Sequence, residues 1–348
     1  MASLSSAAPP TTRAIGWIGL GSMGSGMASR IQQHLADQGV QPLKVYNRTS
    51  SRCEPLEKLG ALRILSIEQL SRESTIIFIS SSDDDAVISI IEQILGSGNA
   101  QGKMVIDTTT VHPDTAKAVA EKMSASGAHF ASMPVFGASP AAAAGTLLAA
   151  YAGPDNVLEA VSPLLKGVVA REVLVVGTEP EKALLLKTTG NLLMASLMQI
   201  IAEAHVLASK TGLPAATLER LLELNFGAVA HTDSVRMTSG VYCPAPGAAP
   251  WSSLDLALKD VGHAMGIAER EGVSARAGRV AYEGLEKARD WAQGEGRIIK
   301  DHGHTTSPGR ARPLDSTSLF GVVRQESGLD FETDFVKERD GTTRRSLP

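Results

Sequence analysis

Read as a pattern of apolar and polar positions, the chain changes character near residue 178. Before it, short apolar runs alternate with stretches of helical period. The runs are AIGWIGL at 14–20, LKVY at 43–46, TIIFI at 75–79 and MVI at 104–106. Helical stretches fall between them, to about residue 38, at 84–95 and at 113–126. Apolar runs without internal alternation suit strands covered on both faces, and strands alternating with helices imply a parallel sheet. At 178–212 comes one long stretch, TEPEKALLLKTTGNLLMASLMQIIAEAHVLASKTG. As a helix it would run on the order of 45 Å at 1.5 Å per residue. Thr178 and Glu181 have the spacing of a capping box, Pro180 suits a first turn, and Gly212 followed by Pro214 ends the helix. Most of its faces are apolar, which predicts a core helix. Leu/Ala-rich helical stretches follow at 215–224, 254–271 and 275–292, with a Gly/Pro-rich break at 240–250.

The pattern reads as an α/β half built on a parallel sheet, followed by an all-helical half. The expected boundaries are a disordered tail at 1–13, an α/β domain at 14–178, an all-helical domain at 179–331, and a disordered tail at 332–348. An insertion is expected at 301–313, before a last helix that Asp315 or Ser316 would cap. His302 and His304 lie in that insertion without further ligands, so no metal is expected.

Composition narrows the function classes. The chain has 348 residues, enough for two domains, and is 43% hydrophobic. A formal net charge of −4 gives no reason to expect nucleic acid or an anionic membrane as partner. No run approaches 18 uninterrupted apolar residues, so no transmembrane helix is proposed. Cys53 and Cys243 match no metal or redox spacing, which fits a reducing compartment. The Ser/Ala/Pro-rich leader lacks the apolar centre of a secretory signal and the arginines of a mitochondrial presequence. A cytoplasmic location is the expectation.

The candidate chemistry begins at Gly19-Leu20-Gly21-Ser22-Met23-Gly24. This is G-x-G-x-x-G with a strand before and a helix after. Gly19 permits the tight turn, Gly21 lets backbone approach a pyrophosphate, and Gly24 lets helix pack on strand. The second strand ends in Asn47-Arg48-Thr49-Ser50. An NAD-preferring site usually has an acid here; Arg48 with Thr49 and Ser50 would instead meet a 2′-phosphate, so NADP is expected over NAD. Three further loops fall at strand ends, at 80–82, 107–113 and 133–138. The acidic run Asp83-Asp84-Asp85 reads as a helix N-terminus rather than a metal site. On the long helix, Lys187 and Asn191 interrupt the apolar pattern four residues apart, which places them on one face. A desolvated lysine can serve as a general acid or base, although at a helix end it can equally snorkel to water.

IGWIGLGSMGSGMA, YNRTSSR, DTTTVHP, MPVFGASPAAAAGTL, K-x-x-x-N at Lys187 and Asn191, and LALKD ending at Asp260 occur in the order of the β-hydroxyacid dehydrogenase family. The chain resembles that family, which includes 3-hydroxyisobutyrate, tartronate-semialdehyde and glyoxylate/succinic-semialdehyde enzymes, from about residue 14 to 331. The resemblance implies an α/β Rossmann domain at 14–178 that binds the nucleotide, followed by an all-α substrate and dimerisation domain at 179–331, joined by a long interdomain helix. It places the active site between the two domains, with Lys187 catalytic and Asn191 orienting substrate. It also implies that Ser81, Ser82, Thr110 and Lys259 lie near the cofactor, that Thr109, Phe136, Gly137 and Ala138 lie near the substrate, and that the chain forms a homodimer or higher homo-oligomer. The substrate would be a small molecule bearing a hydroxyacid or semialdehyde group.

Four departures stand out. Phe136 replaces a serine that commonly helps hold the substrate carboxylate, and Ala138 replaces a glycine. Ser81-Ser82 replaces a leucine-proline pair near the nicotinamide. The glycines usual before the lysine are absent. Phe136 has two readings, as packing beneath the site or as a wall that shifts the pocket towards bulkier, less polar carbonyls. An imine or ketone reductase and a non-catalytic NADP-binding protein are the alternatives. By the resemblance, Lys187 argues for a carbonyl or hydroxyl substrate, since imine reductases of related architecture usually lack this lysine and non-catalytic relatives often lose it.

Overall fold

The computed structural model describes residues 13–294 and 312–341. The first twelve residues, most of the expected insertion with His302 and His304, and the last seven residues lie outside the described part. Two compact units divide between Lys187 and Thr188, inside the long helix rather than at its start.

The first unit is built on one sheet whose strands are β1 (Ile15–Ile18), β2 (Lys44–Tyr46), β3 (Leu62–Arg63), β4 (Ile76–Ile79), β5 (Met104–Asp107), β6 (His129–Ser132), β7 (Val135–Phe136), β8 (Leu147–Ala152) and β9 (Ala170–Gly177). Their order begins β3-β2-β1-β4-β5-β6, with every neighbouring pair parallel. That is the doubly wound order, with the strand sequence reversing between β1 and β4, where such sheets bind ligands at the strands' carboxyl ends. All residues of β1, β4 and β5 are buried. Helices on both faces cover them, and the apolar core is split into clusters above and below the sheet. Trp17 stacks on Phe78 across β1 and β4 with centroids 5.3 Å apart. Asp83 caps the helix Asp84–Gly96 by accepting from the Ala86 N–H at 2.9 Å, as its acidic run implies.

The apolar pattern did not give β6 to β9. Leu147–Ala152 reads LLAAYA, and alanine has low strand propensity, yet this segment lies in the sheet interior, antiparallel to β6 and β7 and parallel to β9. Burial, not propensity, makes it a strand.

The helix Glu181–Thr211 is continuous over 31 residues. It starts at Glu181, so the Thr178 box does not mark its first turn. By length and composition it could cross a membrane. Here its apolar residues enter cores instead: Leu184 joins the first unit's core, and Ala195, Met198, Ile201, Ala202 and Val206 join the second's. The second unit contains helices Ala215–Leu221, Gly227–Thr238, Leu254–Arg270, Arg276–Gln293, Leu319–Glu326 and Asp334–Arg339. Asp315 caps the 3₁₀ turn leading into Leu319–Glu326, accepting from the Thr317 N–H.

One expectation is corrected. Residues 332–341, assigned to a disordered tail on their polarity, are folded. Thr333 caps the helix Asp334–Arg339, Val336 is fully buried, and Asp340 pairs with Arg312 at 2.5 Å. The polar residues that suggested disorder are the ones that hold it.

Candidate functional site

The glycine loop follows from local geometry. Gly19 has φ +95, and a Cβ there would meet the Ser80 carbonyl oxygen at the end of β4. A Cβ on Gly24 would meet the Gly19 carbonyl. Both positions therefore need glycine for close backbone packing. Gly21 differs, since a Cβ there would meet nothing within 4 Å. Its openness serves something outside the fold. The first bond of the helix Ser22–Asp37 runs from the Ser25 N–H to the Gly21 carbonyl at 2.8 Å. The helix itself does not use the N–H groups of Ser22, Met23 and Gly24. Its first turn carries no acidic residue. An uncovered helix N-terminus with an approachable backbone fits a pyrophosphate.

Asn47 does structural work that the motif did not reveal. Its Oδ1 accepts from the Leu20 N–H at 2.8 Å and its amide donates to the Thr49 carbonyl at 2.9 Å, tying the end of β2 to the glycine loop. Arg48 and Thr49 are exposed beside it.

The loops after β4 and β5 are tied together. Thr109 is only 4% exposed, and its Oγ1 accepts from the Ser81 N–H at 2.9 Å. Its own N–H donates to Asp107 Oδ1 at 2.9 Å. Ser82 is exposed and donates to Asp83 at 2.6 Å, and the His112 N–H donates to Asp84 at 2.8 Å. Thr110 is half-buried at the end of this loop.

Phe136 ends β7, whose pairing of Val135 with Ala149 and Phe136 with Leu148 fixes the ring's place against β8. Gly137 turns the chain with φ +133, and Ala138 precedes the short helix Ser139–Ala144. The ring packs against the small buried cluster of Ala150, Ala152 and Ala183, as Val176 and Leu186 also do. Lys187 Nζ lies 4.5 Å from its centroid. The sequence brought these two residues to the same site but did not foresee their contact.

In the second unit, Asn191 Nδ2 donates to Asp260 Oδ2 at 2.8 Å, and Lys259 Nζ meets Asp260 Oδ1 at 2.6 Å. One carboxylate thus holds both residues singled out in this unit. Asp260 was visible only as the last letter of LALKD. The available signal was an acid beside a lysine on a helix facing a half-buried amide, and nothing local pairs it with a residue 69 positions away.

Comparison with known proteins places this geometry. Residues 14–177 match the family described as the NAD binding domain of 6-phosphogluconate dehydrogenase. The chain is 29% identical to the NADH-dependent oxidoreductase ucdB of Aspergillus ustus, over 84% of this chain and 94% of that protein. It is 30% identical to glyoxylate/succinic semialdehyde reductase 2 of Arabidopsis thaliana, over 83% of this chain and 80% of that one. Among solved structures, 3-hydroxyisobutyrate dehydrogenase of Mycobacterium tuberculosis superposes with a TM-score of 0.70 at 22% identity, covering 90% of this chain and 99% of that one. The chain therefore belongs to the β-hydroxyacid dehydrogenase family and is an oxidoreductase acting on hydroxyl or carbonyl groups through a Rossmann-type NAD(P)-binding domain.

Proposed function

We propose that the protein reduces a short semialdehyde or ketoacid with NADPH, Lys187 acting as general acid and, in the reverse direction, as general base. The observation that carries this reading is the face shared by Lys187 and Asn191 on one continuous helix, with Asn191 oriented by Asp260. When bound, the nicotinamide supplies or takes the hydride. Lys187 then donates a proton to the developing alkoxide and offsets its charge. Asn191, one amide N–H engaged by Asp260, has a second N–H to donate to the substrate's oxygen. The loop carrying Thr109 and the backbone near Gly137 contact the polar end of the substrate.

Arg48 supports NADPH. It is exposed at the end of β2, where an acid would select NADH, and its fork suits a 2′-phosphate. One relative is named as NADH-dependent, so the comparisons do not choose between the cofactors, and the reading of NADPH rests on Arg48. A homodimer or higher oligomer is supported by Leu193, Ile200 and Leu207, exposed at 69%, 59% and 65% on the long helix. Their spacing of seven residues keeps them on one stripe. Ile200→Glu should yield monomers by sedimentation if the stripe is covered by a second copy.

The test is Lys187→Ala. Turnover should fall by about 10²–10⁴-fold while NADPH binding stays near wild type. Near-normal turnover would remove the mechanism.

A further inference from the structure

We propose that Phe136 is a positioning residue for Lys187, its π face seating the ammonium through a cation–π contact and favouring the charged, proton-donating form. The inference rests on the reading of Lys187 as the proton donor. The distance of 4.5 Å from Nζ to the ring centroid is within the roughly 6 Å over which the ring quadrupole attracts a cation. Both partners are held from below. The strand pairing of Phe136 with Leu148 sets the ring, and Ala183 and Leu184, both fully buried, anchor the helix one turn before Lys187. The serine usual at this position in the family offers an oxygen, while the ring offers a negative face with no lone pair. The substitution therefore gives the lysine a partner that attracts its charge without a lone pair to accept its N–H groups. This accounts for a bulky apolar side chain beside an ammonium group.

The test replaces Phe136 with 4-fluoro-, 3,5-difluoro- and 3,4,5-trifluorophenylalanine, which weaken the π face stepwise at nearly constant shape. NADPH-dependent reduction of glyoxylate and of succinic semialdehyde is followed. The expected result is a stepwise fall in kcat, roughly three- to tenfold across the series, with the Kd for NADPH unmoved. Phe136→Leu should lose at least as much, and Phe136→Tyr should stay within about threefold of wild type. In wild type the Lys187 ε-methylene protons should be displaced upfield by the ring current, and Phe136→Leu should abolish that displacement. A flat fluorine series, or undisplaced lysine protons in wild type, would overturn the proposal. Lys187→Ala, run alongside, separates the layers. A large loss there with a flat series overturns the seat alone, whereas near-normal turnover overturns the proton-donor reading and the seat with it.

Discussion

Among the described residues, ion pairs of the nucleotide-binding unit lie at its surface, as in Lys166–Glu172 and Lys122–Glu92, where both side chains are about half exposed. Its buried Lys103 is satisfied by the Ser71 and Ser74 carbonyls instead, and desolvation pushes it below the ordinary lysine range. The helical unit puts charge inside. Arg236 pairs with Asp233 and Asp315, all under 10% exposed, and Arg312 pairs with Glu332 and Asp340. Desolvation raises the Asp233 carboxyl despite Arg236. The difference is one of how each unit is specified. A doubly wound sheet is held by backbone ladders and apolar cover, so charge is free to serve its loops. A set of helices with loops between them lacks such ladders, and buried charges with fixed partners set where the loops go.

That comparison can be broken most sharply at Asp340. Burial pushes its carboxyl up, but hydrogen bonds from Arg339 and Arg312 outweigh burial and hold it below the ordinary value. Asp340→Ala should cost about 1.5–3 kcal/mol by denaturant unfolding, because it takes one charged partner from buried Arg312 and leaves Glu332 and the Pro244 carbonyl to hold it. The depressed value fixes the sign with pH. The contribution is present above the unfolded carboxylate value, about 3.9, and is lost as pH falls through the folded one. The stability gap between wild type and variant should therefore close below about pH 4. A constant gap would assign the loss to packing.

In the nucleotide-binding unit the largest charge effect should instead appear in binding. Arg48→Ala should weaken NADP(H) by about 1.5–3 kcal/mol and leave NAD(H) nearly unchanged, as isothermal titration would show. Equal losses for both cofactors would make Arg48 a general contact. The smallest effect should come from Glu172→Ala, which removes the exposed pair with Lys166 and should cost under about 1 kcal/mol in thermal unfolding. A loss matching that of Asp340→Ala would end the distinction between the units.

The same contrast explains what was legible in the sequence. Gly19, Gly21 and Gly24 announce themselves because a tight turn, an open backbone and a close packing each demand glycine within six residues. The long helix and the Asp83 cap are likewise local signals. Asp260 holding Asn191, Arg312 reaching Asp340 and Phe136 lying under Lys187 are pairings across 69, 28 and 51 positions, and no period or motif encodes them. The tail at 332–341 was misread for that reason: its polar composition suggested solvent until Arg312, distant in sequence, supplied the partner. The helix Gly227–Thr238 falls outside the expected helical stretches because its centre, His231-Thr232-Asp233-Ser234-Val235, is made of weak helix formers that tertiary packing overrides.

The most direct test of the central claim is a cofactor-oxidation screen of the purified chain. Glyoxylate, succinic semialdehyde and a cyclic imine would be offered in turn, each with NADPH and with NADH. The account predicts turnover of a carbonyl substrate with NADPH preferred, and loss of that turnover in Lys187→Ala. Turnover of the imine alone, or carbonyl reduction that prefers NADH and survives Lys187→Ala, would contradict it.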